Sequence, residues 1–296
     1  MTKPVGKPDA GKPHVRFDER GEETERATSA SPRLSSTLLR RGAKNDAADA
    51  AAICEAVTRP NMRFVPIKSV ENQGFLMLHR ARGLLVCQRT MTACAIRAHF
   101  VEFGIIVGQG RQRVDGLVGL LDDKELTLPA HARIALAVLV NQMKELDRQV
   151  EAIERELAQI QRVNPMAKLL SSIPAIGPIT ATALAATVPD ATMFRSGREF
   201  AAWLGLTPKQ HSTGGKDRLG RITKQGDSYL RHLLVIGARN VVRYPKARSR
   251  VGGGWIEALL ERRRPMVVAI AVANKLARIV WAMMTTGEFY RPKLAA

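Results

Sequence analysis

The chain has 296 residues, 45% of them hydrophobic, and carries 46 Lys and Arg against 27 Asp and Glu. That length and apolar content suffice for packed domains, about two of them. The net charge of +19 points to a polyanionic partner, nucleic acid before a membrane surface, because each neutralised phosphate releases condensed counterions. No run of about 18 apolar residues is apparent and Met1 is not followed by a secretory leader pattern. A membrane-spanning or secreted chain is therefore not expected.

Residues 1–41 are rich in Pro, Gly, Ser, Thr and charge. They offer too little apolar surface to offset ordering entropy and are expected to be a disordered tail. Only the alternation Val15, Phe17 hints at a strand. From Lys44 the pattern turns helical, with Asp46 and Asp49 ahead of an Ala-rich run that Pro60 ends. Residues 67–103 read as one long helix with Leu76, Leu84, Ile96 and Phe103 among its apolar positions. Gly104 to Gly119 reads as a connector. Cys54, Cys87 and Cys94 have neither metal-ligand nor CxxC spacing and are expected to be reduced core residues.

The clearest periodicity follows. Leu139, Met143, Leu146, Val150, Ile153, Leu157 and Ile160 alternate spacings of four and three, which is the pattern of a coiled-coil seam. The same stripe also suits a helix packed inside its own domain. Asn164 and Pro165 end it, and a further helical domain begins near Lys168. The domain reading is thus 1–41 tail, 42–130 helical region, 131–164 coiled coil, 165–290 C-terminal domain and 291–296 tail.

Three stretches are candidates for chemistry. Asp46 and Asp49 lie three residues apart on one face of a helix start, where two carboxylates can share a hard cation such as Mg²⁺. They also suit the positive end of the helix, with Asn45 as cap. SIPAIGPITATAL (172–184) sets a Gly-Pro turn between apolar helices in the manner of a helix-hairpin-helix. Gly177 would there present backbone N–H groups to a phosphate; an ordinary tight turn is the alternative. Third, QHSTGGKDRLGRITKQGD (210–227) is a basic, Gly-rich, hydroxyl-bearing loop behind the apolar FAAWLGL (200–206), which is expected to anchor it. Between Arg195 and Arg250 thirteen Lys and Arg face three acids, so a charge of +10 is concentrated there. A hydroxyl that attacks a phosphodiester needs cations and backbone donors nearby, and STGGK supplies both. A phosphate-binding turn in which the hydroxyls only bond the loop is the alternative. The spacing does not fit a Walker A loop.

Taken together, KNDAADAAAICEAVTRPNMRFVPIKS, IPAIGPITATALAA, WLGLTPKQHSTGGKDRLGRITKQGDSYLR and ANKLARIVWAMM, in that order, resemble the DEDD-type insertion-sequence transposases of the IS110 family, and especially its IS1111 branch. The resemblance covers about Lys44 to Tyr290. It implies a mainly α chain with the remnant of an RNase H-like α/β domain, a coiled-coil stalk and a helical C-terminal transposase domain carrying a helix-hairpin-helix-like segment. It implies DNA transposition by Mg²⁺-assisted, serine-mediated strand cleavage and exchange. DNA, a structured guide RNA and further copies of the chain joined through the coiled coil are the implied partners, in the bacterial cytoplasm at the nucleoid.

Carried over position by position, Asp46 and Asp49 match the last two of four metal-binding acids. Ser212 matches the catalytic serine, with Thr213 as the alternative one residue on. Gly177, Thr213, Gly214, Gly215, Lys216, Arg218, Arg221, Lys224 and Arg231 are the expected nucleic-acid contacts. The family's first two acidic blocks have no counterpart ahead of Asp46, where Asp18 is at best a faint stand-in. The chain is therefore expected to be a truncated or frame-disrupted copy with impaired cleavage. A non-catalytic nucleic-acid-binding remnant is the alternative function.

Overall fold

The computed structural model describes residues 46–60, 67–108, 110–121, 128–213, 215–216 and 218–291. The expected tail over 1–41, with Asp18, the Asn45 cap, Gly214 and residues 292–296 lie outside them. The chain divides into two compact units, Met1–Val65 and Pro66–Ala296, and the described residues are mainly helical.

In the first unit, helix α1 (Asp46–Thr58) carries Asp46 and Asp49 in its opening turn. It ends just before Pro60, whose ring and missing N–H cannot continue a helix.

The second unit opens with α2 (Val70–Glu102), capped by Ser69, whose Oγ accepts from the Asn72 N–H. Short α3 (Arg111–Leu120) follows, then α4 (Ala130–Val163). α2 and α4 are antiparallel. As the α2 partner advances by seven residues the α4 partner retreats by seven: Arg82 pairs with Glu154 at 2.6 Å and Arg89 with Asp147 at 3.1 Å. Met143, Leu146, Val150 and Leu157 are buried and Leu139, Ile153 and Ile160 half-buried. The heptad seam is therefore covered within the chain, by α2 and, nearer its end, by a later helix. Its stripe is an intramolecular core.

Two expectations for this region change. The connector over Gly104 to Gly119 contains α3. Val114 and Leu117, three residues apart, bury themselves against Ile96, Phe100, Leu136 and Val140. This packing outweighs the low helix propensity of Gly116 and Gly119. The cysteines are not core: Cys54, Cys87 and Cys94 are all exposed. α2 buries only the face turned to its neighbours, and Cys87 and Cys94, seven residues apart, share the outward side, as do Leu84 and, at its end, Phe103.

Asn164 closes α4 with its backbone N–H, which donates to the Ile160 carbonyl at 2.8 Å, and starts α5 (Pro165–Leu170) with its side chain, Oδ1 accepting from the Ala167 N–H at 3.0 Å. α5 leads through a tight turn to α6 (Pro178–Thr187), then to α7 (Gly197–Trp203). Strands β1 (Pro208–Gln210) and β2 (Leu219–Ile222) follow, then α8 (Ser228–Arg243), α9 (Pro245–Val251), α10 (Gly253–Arg262) and α11 (Pro265–Thr286). α8 and α11 pack along each other, with α7 and α5 against α11. Leu170, Leu184, Phe200, Leu204, Leu230, Leu276 and Val280 are fully buried in this core. α11 is, contrary to the sequence reading, long and apolar enough to cross a bilayer by length and composition. Its apolarity is that of a central core helix: Val268, Val272, Leu276, Val280 and Met283 form a buried stripe, while Lys275 and Arg278 interrupt the run. Among the described residues the sheet is limited to β1 and β2, so no part of an RNase H-like sheet is represented there.

Candidate nucleic-acid interface

The basic stretch is a β-hairpin rather than an open loop. β1 and β2 pair antiparallel, Pro208 with Ile222 and Gln210 with Leu219, with a register irregularity between. Beyond them the His211 N–H donates to the Arg218 carbonyl at 2.8 Å, and Thr213 and Lys216 form a bridge at the tip. Gly215, at φ +76°, turns the chain there. The arms are exposed and their stability comes from this backbone ladder.

Their base is rigid. Phe200, Ala201, Leu204 and Leu206 are buried, and Phe194, Phe200 and Trp203 contact one another ring to ring, so FAAWLGL anchors the hairpin as expected. Gly205 and Gly226 both have φ near +70°, and a Cβ on either would overlap backbone, the Gln225 carbonyl for the first and the Trp203 carbonyl for the second. The returning strand is thereby laid directly on the end of α7. Lys224 donates its N–H to the Gly205 carbonyl, and Asp227 caps α8 through bonds from the Tyr229 and Leu230 N–H groups at 2.8 and 2.9 Å.

The candidate residues fall into distinct places. Ser212 sits on the ascending arm, half-buried, and its Oγ accepts from the Arg218 N–H at 3.2 Å. A backbone donor on Oγ favours the negative charge that this oxygen would acquire on losing its proton. Thr213 is exposed at the tip, with Lys216, Arg218, Arg221 and Lys224 exposed around the hairpin. Arg231 belongs elsewhere: its Nη1 donates to the Leu204 and Gln225 carbonyls at 3.0 and 2.8 Å, tying the hairpin exit to α7. Gly177 is the exposed N-cap of α6. The turn before it, with Ala175 at φ +74°, lies against Gly237 of α8. It opens on a cleft of about 610 Å³ that Arg82 and His232 also line.

Asp46 and Asp49 share the first turn of α1, both exposed. Among the described residues no three of His, Cys, Asp and Glu are grouped to hold a metal. Two carboxylates on an open helix start do not make a Mg²⁺ site by themselves.

Sequence reasoning missed two features. His79, 98% buried, receives the Tyr229 hydroxyl at Nδ1 and reaches Thr182 Oγ1 from Nε2, both at 3.1 Å. Thr182 donates its own proton to the Pro178 carbonyl at 2.7 Å. Nε2 must therefore carry the imidazole proton, and Tyr229 donates to Nδ1. Burial and then the nearby Arg82 cation lower the His79 pKa from 6.5 to about 4. The second is a groove of about 1560 Å³ between β2 and α11. A lone His in a long helix gives no signal of burial, and Lys275 and Arg278 are hidden in an apolar run.

A family model described as "Transposase IS116/IS110/IS902 family" matches residues 167–251, the segment from α5 to α9 that contains the hairpin. The y4pF/y4sB protein of Sinorhizobium fredii is 46% identical over 261 residues, 88% of this chain and 67% of its own. The transposase for insertion sequence element IS1328 of Yersinia enterocolitica is 40% identical, covering 83% of this chain and 73% of its own. The chain belongs to the IS116/IS110/IS902 transposase family. The transposase for insertion sequence element IS1111A of Coxiella burnetii, 36% identical over 84% of this chain and 68% of its own, extends the likeness to the branch expected from the sequence. Within this transposase family member, the hairpin with Ser212, its rigid base and the α8 cap all fall in the matched segment.

Proposed function

We propose that this transposase-family chain binds DNA through the basic β-hairpin and presents Ser212 to a phosphodiester. The observation that carries the reading is the Ser212 hydroxyl fixed on the Arg218 N–H, on an exposed arm with Lys216, Arg218, Arg221 and Lys224 and anchored on a buried base. In the proposed step the Ser212 oxygen adds to phosphorus and loses its proton, and one bridging P–O bond breaks. The products are a serine–DNA phosphodiester and a DNA hydroxyl, which takes up the proton. The cations balance charge on the phosphoryl oxygens and the Arg218 N–H supports the nucleophile. A structured RNA of the element is the second nucleic acid in this reading. Mg²⁺ at Asp46 and Asp49 has too few ligands among the described residues.

The same observation on the acids favours a second reading, DNA binding without cleavage. Both are tested by incubating the chain with DNA carrying the insertion-sequence junction, its RNA and Mg²⁺, followed by denaturing electrophoresis. A covalent adduct that Ser212→Ala abolishes and Thr213→Ala retains supports the serine. Adduct formation by Ser212→Ala transfers the role to another hydroxyl, and DNA binding with no adduct from the unaltered chain favours the second reading.

Association between copies is proposed on α2 rather than on the α4 seam. Val70, Met77, Leu84 and Met91 repeat every seven residues on its outward face and are 60–86% exposed, a second apolar heptad stripe open to solvent.

A further inference from the structure

We infer that the groove between β2 and α11 holds unpaired DNA, with bases against its floor and phosphates on its rim. The inference rests on the DNA-binding reading and adds the state of the strand and the place that takes it. At about 1560 Å³ the groove exceeds the roughly 300–1,000 Å³ of sites for one small molecule, so a stretch of polymer is the fitting occupant.

Its chemistry is divided. Arg198, Arg221, Lys224, Lys275 and Arg278 line it, and none of the described residues lining it is an acid. Trp255, Met266, Val267 and Ile270 supply an apolar surface beside them. Three of these four are more than 40% exposed, a solvent-facing patch that ordinary folding leaves unexplained. Lys275 Nζ lies 4.7 Å from the Trp255 ring centroid, which sets a cation at the edge of the apolar floor.

A duplex presents phosphates and sugars outward and would leave that floor uncovered. Unpaired nucleotides supply both halves of the match, since every base has an apolar π-face and every link a phosphate. Among the described residues the lining charge is uniformly positive, the complement of a nucleic-acid strand. Arg221 and Lys224 belong to the hairpin as well, so a strand in the groove runs directly to the arm that carries Ser212. Family membership favours DNA over RNA as the strand.

The test uses the full chain and four labelled probes of equal length: a single-stranded DNA, its abasic counterpart, the duplex and the same sequence in RNA. Fluorescence anisotropy is expected to give base-bearing single strands at least about tenfold tighter binding than abasic ones, from contact of the bases with the apolar floor that Trp255, Met266 and Val267 form together. The exposed double variant Met266→Gln/Val267→Gln should remove most of that difference and leave abasic and duplex binding within about twofold. Arg198→Ala/Arg278→Ala should weaken both single-stranded probes alike. Equal affinity for base-bearing and abasic strands overturns the inference while duplex binding leaves the DNA reading standing. Tighter RNA than DNA binding overturns the choice of occupant. Failure to bind any DNA defeats the DNA reading itself.

Discussion

His79 joins three helices through two hydrogen bonds, and its environment gives a pH dependence with a definite sign. In the folded chain the imidazole stays neutral down to about pH 4, whereas in the unfolded chain it protonates near pH 6.5. Between these values the unfolded state binds more protons, so its population gains as pH falls. The contribution is fully present above pH 6.5, shrinks through the window and is gone below about pH 4, amounting to at most about 3 kcal/mol. Urea unfolding at pH 7.5 and 5 is expected to give a smaller loss for His79→Gln than for the unaltered chain, although the variant is less stable at pH 7.5. Identical pH dependence in the two would show that His79 is not protonated on unfolding across this range. At Ser212 the relevant atom is the backbone N–H of Arg218. The side chain of Arg218 is thus separable from the positioning of the serine.

At the scale of elements, two heptad stripes have different surroundings. The α4 stripe is covered by the chain's own helices and the α2 stripe faces solvent. Leu146→Asp would bury an unpaired carboxylate and is expected to cost more than about 3 kcal/mol, unfolding the α2–α4 pair. Leu84→Asp, at an exposed position, should leave the helical circular-dichroism signal intact and shift the mass measured by light scattering towards the monomer. An unchanged oligomer mass would remove α2 as the contact. The seam on α4 was legible because seven positions kept a strict four-three spacing. Its partner was not, because a stripe of Leu and Val does not encode which helix covers it. The hairpin was legible as a basic Gly-rich segment with a candidate nucleophile. Its strands were hidden because neither arm alternates apolar with polar residues, and their order derives from backbone bonds and from Gly205 and Gly226 lying on α7. Arg231 was indistinguishable in sequence from the exposed cations until its bonds to two carbonyls were visible. The same holds for α3 and for the outward cysteines, where burial was decided by neighbours distant in sequence.

Over the whole molecule, more than half of the net charge of +19 falls in one segment of the sequence. The +10 segment from Arg195 to Arg250 includes the hairpin, and α11 adds Lys275 and Arg278 on the facing wall of the groove. Family membership, the exposed basic arm and the cations that line the groove lead to one central claim, that the hairpin is where nucleic acid is engaged. The most direct measurement is the salt dependence of duplex DNA affinity for the unaltered chain and for the variant with Lys216, Arg218, Arg221 and Lys224 all changed to Ala. With four phosphate contacts on these side chains, the slope of log affinity against log salt concentration should become shallower by about 3 to 4, with the fold unchanged by circular dichroism. A folded variant with the slope of the unaltered chain would contradict the claim and place the DNA contacts elsewhere.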